Sequence, residues 1–191
     1  MKVAVIGSTG YVGSHLVKEL ANRNYDVIAL ARHSENTPAN EKVTRLSVDI
    51  NDHSLLVTAL SGVDVVVSAF NAGWTNPNLY DDFTKGASAI QQAVKDAGID
   101  RFIVIGGAGS LLIDGNRLVD SPDFPKEIKP GALAAADYLD TIRKEDQLNW
   151  TMFSPAIEMN SHAGGERTGK YRTALDTPVF DQDGRSRLSV E

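Results

Sequence analysis

The 191-residue chain contains no cysteine. Disulfides, thiolate nucleophiles and sulfur-ligated metals are thereby excluded, although the absence alone does not name a compartment. Histidine is also scarce. His15, His33, His53 and His162 are scattered, and none has the HExxH spacing that sets two ligands on one helical face, so no metal site is expected. Positive excess is missing too, because the formal net charge is −6. Phosphate backbones and anionic lipid surfaces require the opposite balance, which leaves small molecules or proteins as partners rather than nucleic acid or membrane. No apolar run approaches the roughly 20 residues that span a bilayer, and no basic segment precedes an apolar stretch at the N-terminus. A cytoplasmic protein, monomer or homodimer, is expected.

Apolar residues make up 42% of the chain, ample for a buried sheet. Short apolar runs, Val3–Ile6, Val27–Leu30, Val43–Val48, Val63–Phe70, Phe102–Ile105 and Trp150–Phe153, alternate with segments of helical period. That alternation predicts successive βαβ units: an α/β fold with a doubly wound parallel sheet in a single domain spanning residues 1–191. Helices are predicted from Tyr11 to the Asn22–Asn24 exit, over Asn51–Leu60 with Asn51 as N-cap and Gly62 as stop, over Leu79–Ala97 and over Pro130–Asp146. Two stretches break the pattern, Gly106–Lys129 and Pro155–Lys170. Both follow strands at their C-terminal ends, where open parallel sheets bind ligands, so they are read as a small substrate-covering lobe. Ser189 and Glu191 resemble the opening turn of a helix, so a final helix is suspected to be cut short.

Directly after the first strand stands GSTGYVG, with Gly7, Gly10 and Gly13 in GxxGxxG spacing rather than GxGxxG. The strand before it and the helix after it match the dinucleotide-binding context. Glycines there permit a tight turn and close approach of backbone N–H groups to a pyrophosphate, whose charge the helix N-terminus stabilises. Gly7, Ser8, Thr9, Gly10, Tyr11, Val12 and Gly13 are therefore the candidate pyrophosphate grip, with Ser8 and Thr9 as hydroxyl donors. The alternative is a turn that binds nothing.

NAD-binding versions place an acidic residue at the end of the second strand to hold the ribose hydroxyl. Here that strand ends in LARHS, and Arg32 offers a guanidinium to the 2′-phosphate of NADP. NADP(H) is expected over NAD(H), a solvated surface arginine being the alternative. Asp49 and Ile50 end the third strand. Asp49 either accepts from the adenine amino group, with Ile50 over the ring, or caps the next helix. Phe70, Asn71 and Ala72 should line the ribose and nicotinamide path. Gly106, Gly107 and Gly109 should bring backbone close to the nicotinamide, and Ser110 adds a hydroxyl beside it.

Together GSTGYVG, the strand-end Arg32, VDI at 48–50, GGAGSL at 106–111, FSPA at 153–156 and GERTGKYR at 165–172 resemble the atypical short-chain dehydrogenase/reductases. Within them the chain is most similar to the NAD(P)H-flavin reductase group related to biliverdin reductase B. The resemblance runs over essentially the whole chain, and GGAGSL and GERTGKYR are more specific than the glycine motif. It implies a Rossmann fold, Pro155 and Ala156 near the nicotinamide, Ser110 on the substrate side as the candidate catalytic residue, and a flavin, FMN or FAD, as the accepting substrate.

One departure bears on mechanism. The Tyr-x-x-x-Lys pair of the classical enzymes, in which Lys lowers the pKa of a proton-donating Tyr, is absent. The residues four places after the five tyrosines are His15, Ala29, Thr84, Ile142 and Leu175. Tyr138 lies on the expected helix, with packing as its expected role. Hydride transfer to a flavin requires only two rings held in contact, so flavin reduction is compatible with this loss. A non-catalytic NADP sensor resembling NmrA is the second reading. Arg167, Lys170 and Arg172 could steer an acidic substrate or form a solvated hairpin, and His162 is a further candidate for the substrate pocket.

Overall fold

The computed structural model describes residues 1–160 and 165–191; His162 lies outside the described residues. Eight strands and four α-helices follow in chain order: β1 (Lys2–Ile6), α1 (Tyr11–Asn22), β2 (Asp26–Ala31), β3 (Val43–Ser47), α2 (His53–Ala59), β4 (Val65–Ser68), α3 (Leu79–Asp96), β5 (Arg101–Ile105), β6 (Leu112–Ile113), β7 (Asn116–Arg117), α4 (Lys129–Ile142) and β8 (Asn149–Phe153). Six strands form one sheet in the order β3-β2-β1-β4-β5-β8, parallel at every pairing. The chain runs outward from β1 to β3 and then returns to β4, so the direction reverses between β1 and β4. This is the doubly wound Rossmann topology, whose ligand crevice lies at that reversal.

Burial follows position in the sheet. The central strands β1 and β4 are apolar and buried over nearly their full length, whereas no residue of the edge strands β3 and β8 is fully buried. One face carries α2, α3 and α4 over a core that includes Ile6, Val66, Phe102, Val104, Ile90 and Tyr138. The other carries α1, whose Val17 and Ala21 pack on Val5, Val27 and Ala29. By the two-residue period, Ile103, Ile105 and Phe153 point to that second face, where they are half-buried or exposed.

Helix ends obey local chemistry. In α3, Asp81 and Asp82 lie in the first turn and Lys95 in the last, each complementing the helix dipole. Two boundaries differ from expectation. The cap of α2 is Asp52, whose carboxylate accepts from Leu55 N–H at 3.0 Å, rather than Asn51. Asn51 instead donates to Asp49, an aspartate turn that delays the helix to His53. The last helix stops at Ile142, and Arg143–Glu145 form turns leading to β8.

The loop after β5 builds the expected small lobe from a 3₁₀ turn at 108–110, the β6/β7 hairpin and a second 3₁₀ turn at 118–120. Arg117, which bonds Asp120 within the lobe at 2.8 Å, fastens it to α4 by donating to Asp137 at 2.7 Å, while Tyr80 of α3 donates to the other oxygen of Asp137 at 2.8 Å. After β8, Glu158 pairs with Arg187, so residues 186–188 run extended. Ser189 Oγ accepts from Glu191 N–H at 3.1 Å, and no helix is present there.

Candidate functional site

The turn after β1 is shaped by contacts that only glycine tolerates. Gly7 has φ +82°, and a Cβ on it would lie 2.6 Å from the Ala69 carbonyl oxygen at the end of β4. A Cβ on Gly13 would lie 2.1 Å from the Gly7 carbonyl oxygen. The first turn of α1 is thus pressed against the end of β1, and Gly7 and Gly10 line the β1/β4 crevice without side chains. Gly10 caps α1 without a side-chain hydrogen bond, and the first turn holds no acidic residue. The N–H groups of that turn have no intrahelical acceptor by construction, so the helix end is open to an anion. These features fit a pyrophosphate: a turn of glycines that lets backbone approach closely, ending on unopposed N–H donors.

Ser8 departs from expectation. It is fully buried, its hydroxyl bonds Thr37 Oγ1 at 2.9 Å, and its N–H donates to Leu30 O at 3.2 Å. It therefore ties the glycine turn to the loop after β2 rather than offering its hydroxyl to the crevice. Thr9 does face the crevice.

Two adjoining cavities continue from that turn. The first, about 170 Å³, is lined by Gly7, Thr9, Gly10, Leu30, Ala69 and Asn71, among others. The second, about 250 Å³, is lined by Asp49, Asn51, Ala72, Asn76, Asp82 and Lys85. Arg32, Ile50 and Phe70 border both. Arg32, Asp49, Ile50, Phe70, Asn71 and Ala72 thus meet in one crevice, as the strand-end reading expects. Asp49 is not the helix cap. One carboxylate oxygen takes the Asn51 N–H and amide, and these bonds, the backbone one foremost, hold its pKa below the ordinary value, with Arg32 adding to the effect. Asp49 is therefore an anionic acceptor on the cavity wall.

Ile50 and Phe70 owe their position to Gly86, in the middle of α3. A Cβ on Gly86 would lie 2.6 Å from Phe70 Cε1 and 2.7 Å from Ile50 Cδ1. Phe70 also stacks on Phe83, with ring centroids 5.9 Å apart. A glycine within an otherwise regular helical pattern, which costs about 1 kcal/mol relative to alanine, was the available signal. Thr37, Asn76, Asp82 and Lys85 had none in the sequence, because the loops and the α3 register that deliver them were not derivable.

Gly106, Gly107, Ser110, Pro155 and Ala156 do not line these cavities; they gather at the C-terminal ends of β5 and β8. The three glycines there differ. A Cβ on Gly106 would meet the Met152 methyl at 2.4 Å, and one on Gly109 would crowd Ala132 and Val119 at 3.1 and 3.2 Å, whereas at Gly107 only Ala135 lies near, at 3.9 Å. Gly109 is therefore needed to seat α4. The Ser110 hydroxyl is buried, donates to Gly107 O at 2.9 Å and lies 2.8 Å from Ser154 Oγ, a partner the sequence did not indicate.

Tyr138 is in the core. Its hydroxyl donates to Gln91 Oε1 at 3.0 Å, and burial pushes its pKa well above the ordinary value. Packing is its role. Arg167 does not cover the crevice: it grips Glu19 of α1 through two bonds of 2.6 and 2.8 Å. Glu19 lies eight residues beyond Tyr11, about 12 Å along the helix from its open end. Arg172 donates to Phe180 O, and Lys170 is exposed.

The fold and this crevice define a dinucleotide-binding Rossmann protein. The NAD(P)H-binding family model matches residues 7–190, and the chain belongs to that family, an atypical short-chain dehydrogenase/reductase-like group of oxidoreductases. It is 32% identical over 192 residues to the uncharacterized protein YwnB of Bacillus subtilis, covering 99% of this chain and 86% of YwnB. A solved structure from Streptococcus pneumoniae described as "a putative NADH-flavin reductase" superposes with TM-score 0.85 at 37% identity, covering 100% of this chain and 87% of that one. A "putative epimerase" from Bacteroides thetaiotaomicron superposes with TM-score 0.89 at 40% identity over 99% of this chain and 85% of that one. The match to isoflavone reductase homolog P3 of Arabidopsis thaliana is 37% over 102 residues, spanning 48% of this chain and 31% of that protein. No helix among the described residues is long and apolar enough to cross a membrane.

Proposed function

We propose that the protein is a cytoplasmic NADPH-dependent reductase that delivers hydride to a free flavin, or a similar electron-poor small molecule, without a tyrosine–lysine pair. The observation that carries the reading is the single crevice in which the uncapped N-terminus of α1 meets Arg32. Bound NADPH supplies a hydride from its nicotinamide. The chain supplies position: the Gly7–Gly13 turn and the α1 N–H groups hold the pyrophosphate, Arg32 pairs with the 2′-phosphate, and Asp49, Ile50 and Phe70 receive the adenine. Pro155 and Ala156 lie beside the nicotinamide and Ser110 orients the accepting ring, and contact between two rings replaces proton donation as the chief demand. Tyr138, held in the core, is not called upon.

A structural finding keeps the sensor reading in view. The Ser110 hydroxyl is committed to Gly107 and Ser154, as suits a protein that binds dinucleotide and signals. Oxidation of NADPH measured across flavins, quinones and small carbonyls, with NADH as the paired control, separates the two. Flavin-stimulated oxidation with NADPH favoured supports the reductase; tight binding without oxidation by any acceptor sinks it.

A further inference from the structure

We propose that Lys85 of α3 is a second phosphate-reading residue, closing with Arg32 a two-cation clamp on the phosphate of the adenosine ribose. The inference rests on the NADPH reading above and extends it to a residue outside the strand ends. Lys85 and Arg32 line the same cavity from opposite elements, one on α3 and one after β2. Neither has a hydrogen bond or ion pair among the described residues. The two carboxylates in that wall are differently placed. Asp82 accepts from Asn76 Nδ2 at 2.8 Å, and Asp49 takes both donors of Asn51 on one oxygen.

The cavity therefore holds two cations with no hydrogen bond or ion pair among the described residues and two anionic carboxylates whose hydrogen bonds come from neutral amides, Asp49 also feeling the charge of Arg32. A phosphomonoester dianion offers both cations a direct partner. An unphosphorylated ribose does not, so the clamp discriminates between the two dinucleotides. Gly86, the next residue, bears on the same wall differently: its missing Cβ seats Ile50 and Phe70, the apolar surfaces available to the adenine in either dinucleotide.

The test compares wild type, Lys85→Gln, Lys85→Arg, Arg32→Ala and Gly86→Ala by calorimetric titration with NADPH, NADH, adenosine 2′,5′-bisphosphate and 5′-AMP. Lys85→Gln is expected to weaken NADPH and the bisphosphate about fivefold or more while NADH and 5′-AMP hold within about twofold, and Lys85→Arg to restore both. The effect should shrink in high salt. Gly86→Ala should weaken all four ligands alike. If Lys85→Gln leaves the NADPH preference intact while Arg32→Ala abolishes it, the role of Lys85 is overturned and the cofactor reading stands. If wild type binds NADPH and NADH equally, both fall. Equal weakening of all four ligands by Lys85→Gln also overturns the clamp.

Discussion

The two halves of the strand-end face, the crevice and the neighbouring ends of β5 and β8, are made differently. At the end of β1 the wall is a glycine turn, shaped by contacts as close as 2.1 Å to an imagined Cβ. At the ends of β5 and β8 it is side chains on irregular loops, with Ser110 and Ser154 bonded to each other. Steric necessity confines the first half to one chemistry. The second half rests on hydroxyl contacts and a hairpin lobe, so it can vary while the sheet persists. The half that grips the dinucleotide should be intolerant of change, and the half proposed to face the acceptor should be adjustable.

The largest effect expected from that contrast is at Gly13. Alanine there forces α1 away from β1, and a destabilisation of about 2–4 kcal/mol with loss of dinucleotide binding should show in denaturant unfolding and fluorescence titration. On the other side, Ser110→Ala should lower kcat/KM for the acceptor about tenfold while NADPH affinity is kept. A change in NADPH affinity alone would erase the division. Smaller still, Tyr138→Phe removes one buried hydrogen bond and should cost about 1–2 kcal/mol, again by denaturant unfolding, with kcat unchanged.

The smallest concerns the strap between the halves. Arg167 and Arg23 hold the Glu19 carboxyl down at about 2, from an ordinary 4.5. A depressed carboxylate contributes fully above its ordinary value and loses its contribution as pH falls toward the lowered one. The attachment of residues 166–170 to α1 should therefore be constant from pH 7 to about 5 and loosen between about 4.5 and 2, as read by amide exchange. Glu19→Gln should loosen it at neutral pH and remove the pH dependence.

Much of the first half was legible in the sequence because its signals are local. Apolar runs ending in glycine or arginine identify both the strand and what stands at its C-terminal end. GSTGYVG, Arg32, VDI and FNA therefore converged as expected. Ser8 bonds Thr37 instead of facing the cavities because a serine in such a turn offers its hydroxyl to either side, and only the position of Thr37 decides which. Asn51 and Asp52 compete for one cap, and the bonds to Asp49 took Asn51 out of contention. Lys85 and Ser154 were invisible for another reason. Each reaches its place through packing between elements distant in sequence, which no spacing records.

The Ser8–Thr37 bond joins the turn proposed to face the pyrophosphate to the loop that begins at Arg32. On the proposed reading the pyrophosphate and the 2′-phosphate are met by segments sharing one buried hydroxyl pair, so their contributions to affinity should not be independent. In a double-mutant cycle, replacing Ser8 and Arg32 together should differ from the sum of the separate losses by about 0.5 kcal/mol or more. Such an interaction energy would make cofactor choice a property of the linked loops as much as of the arginine itself.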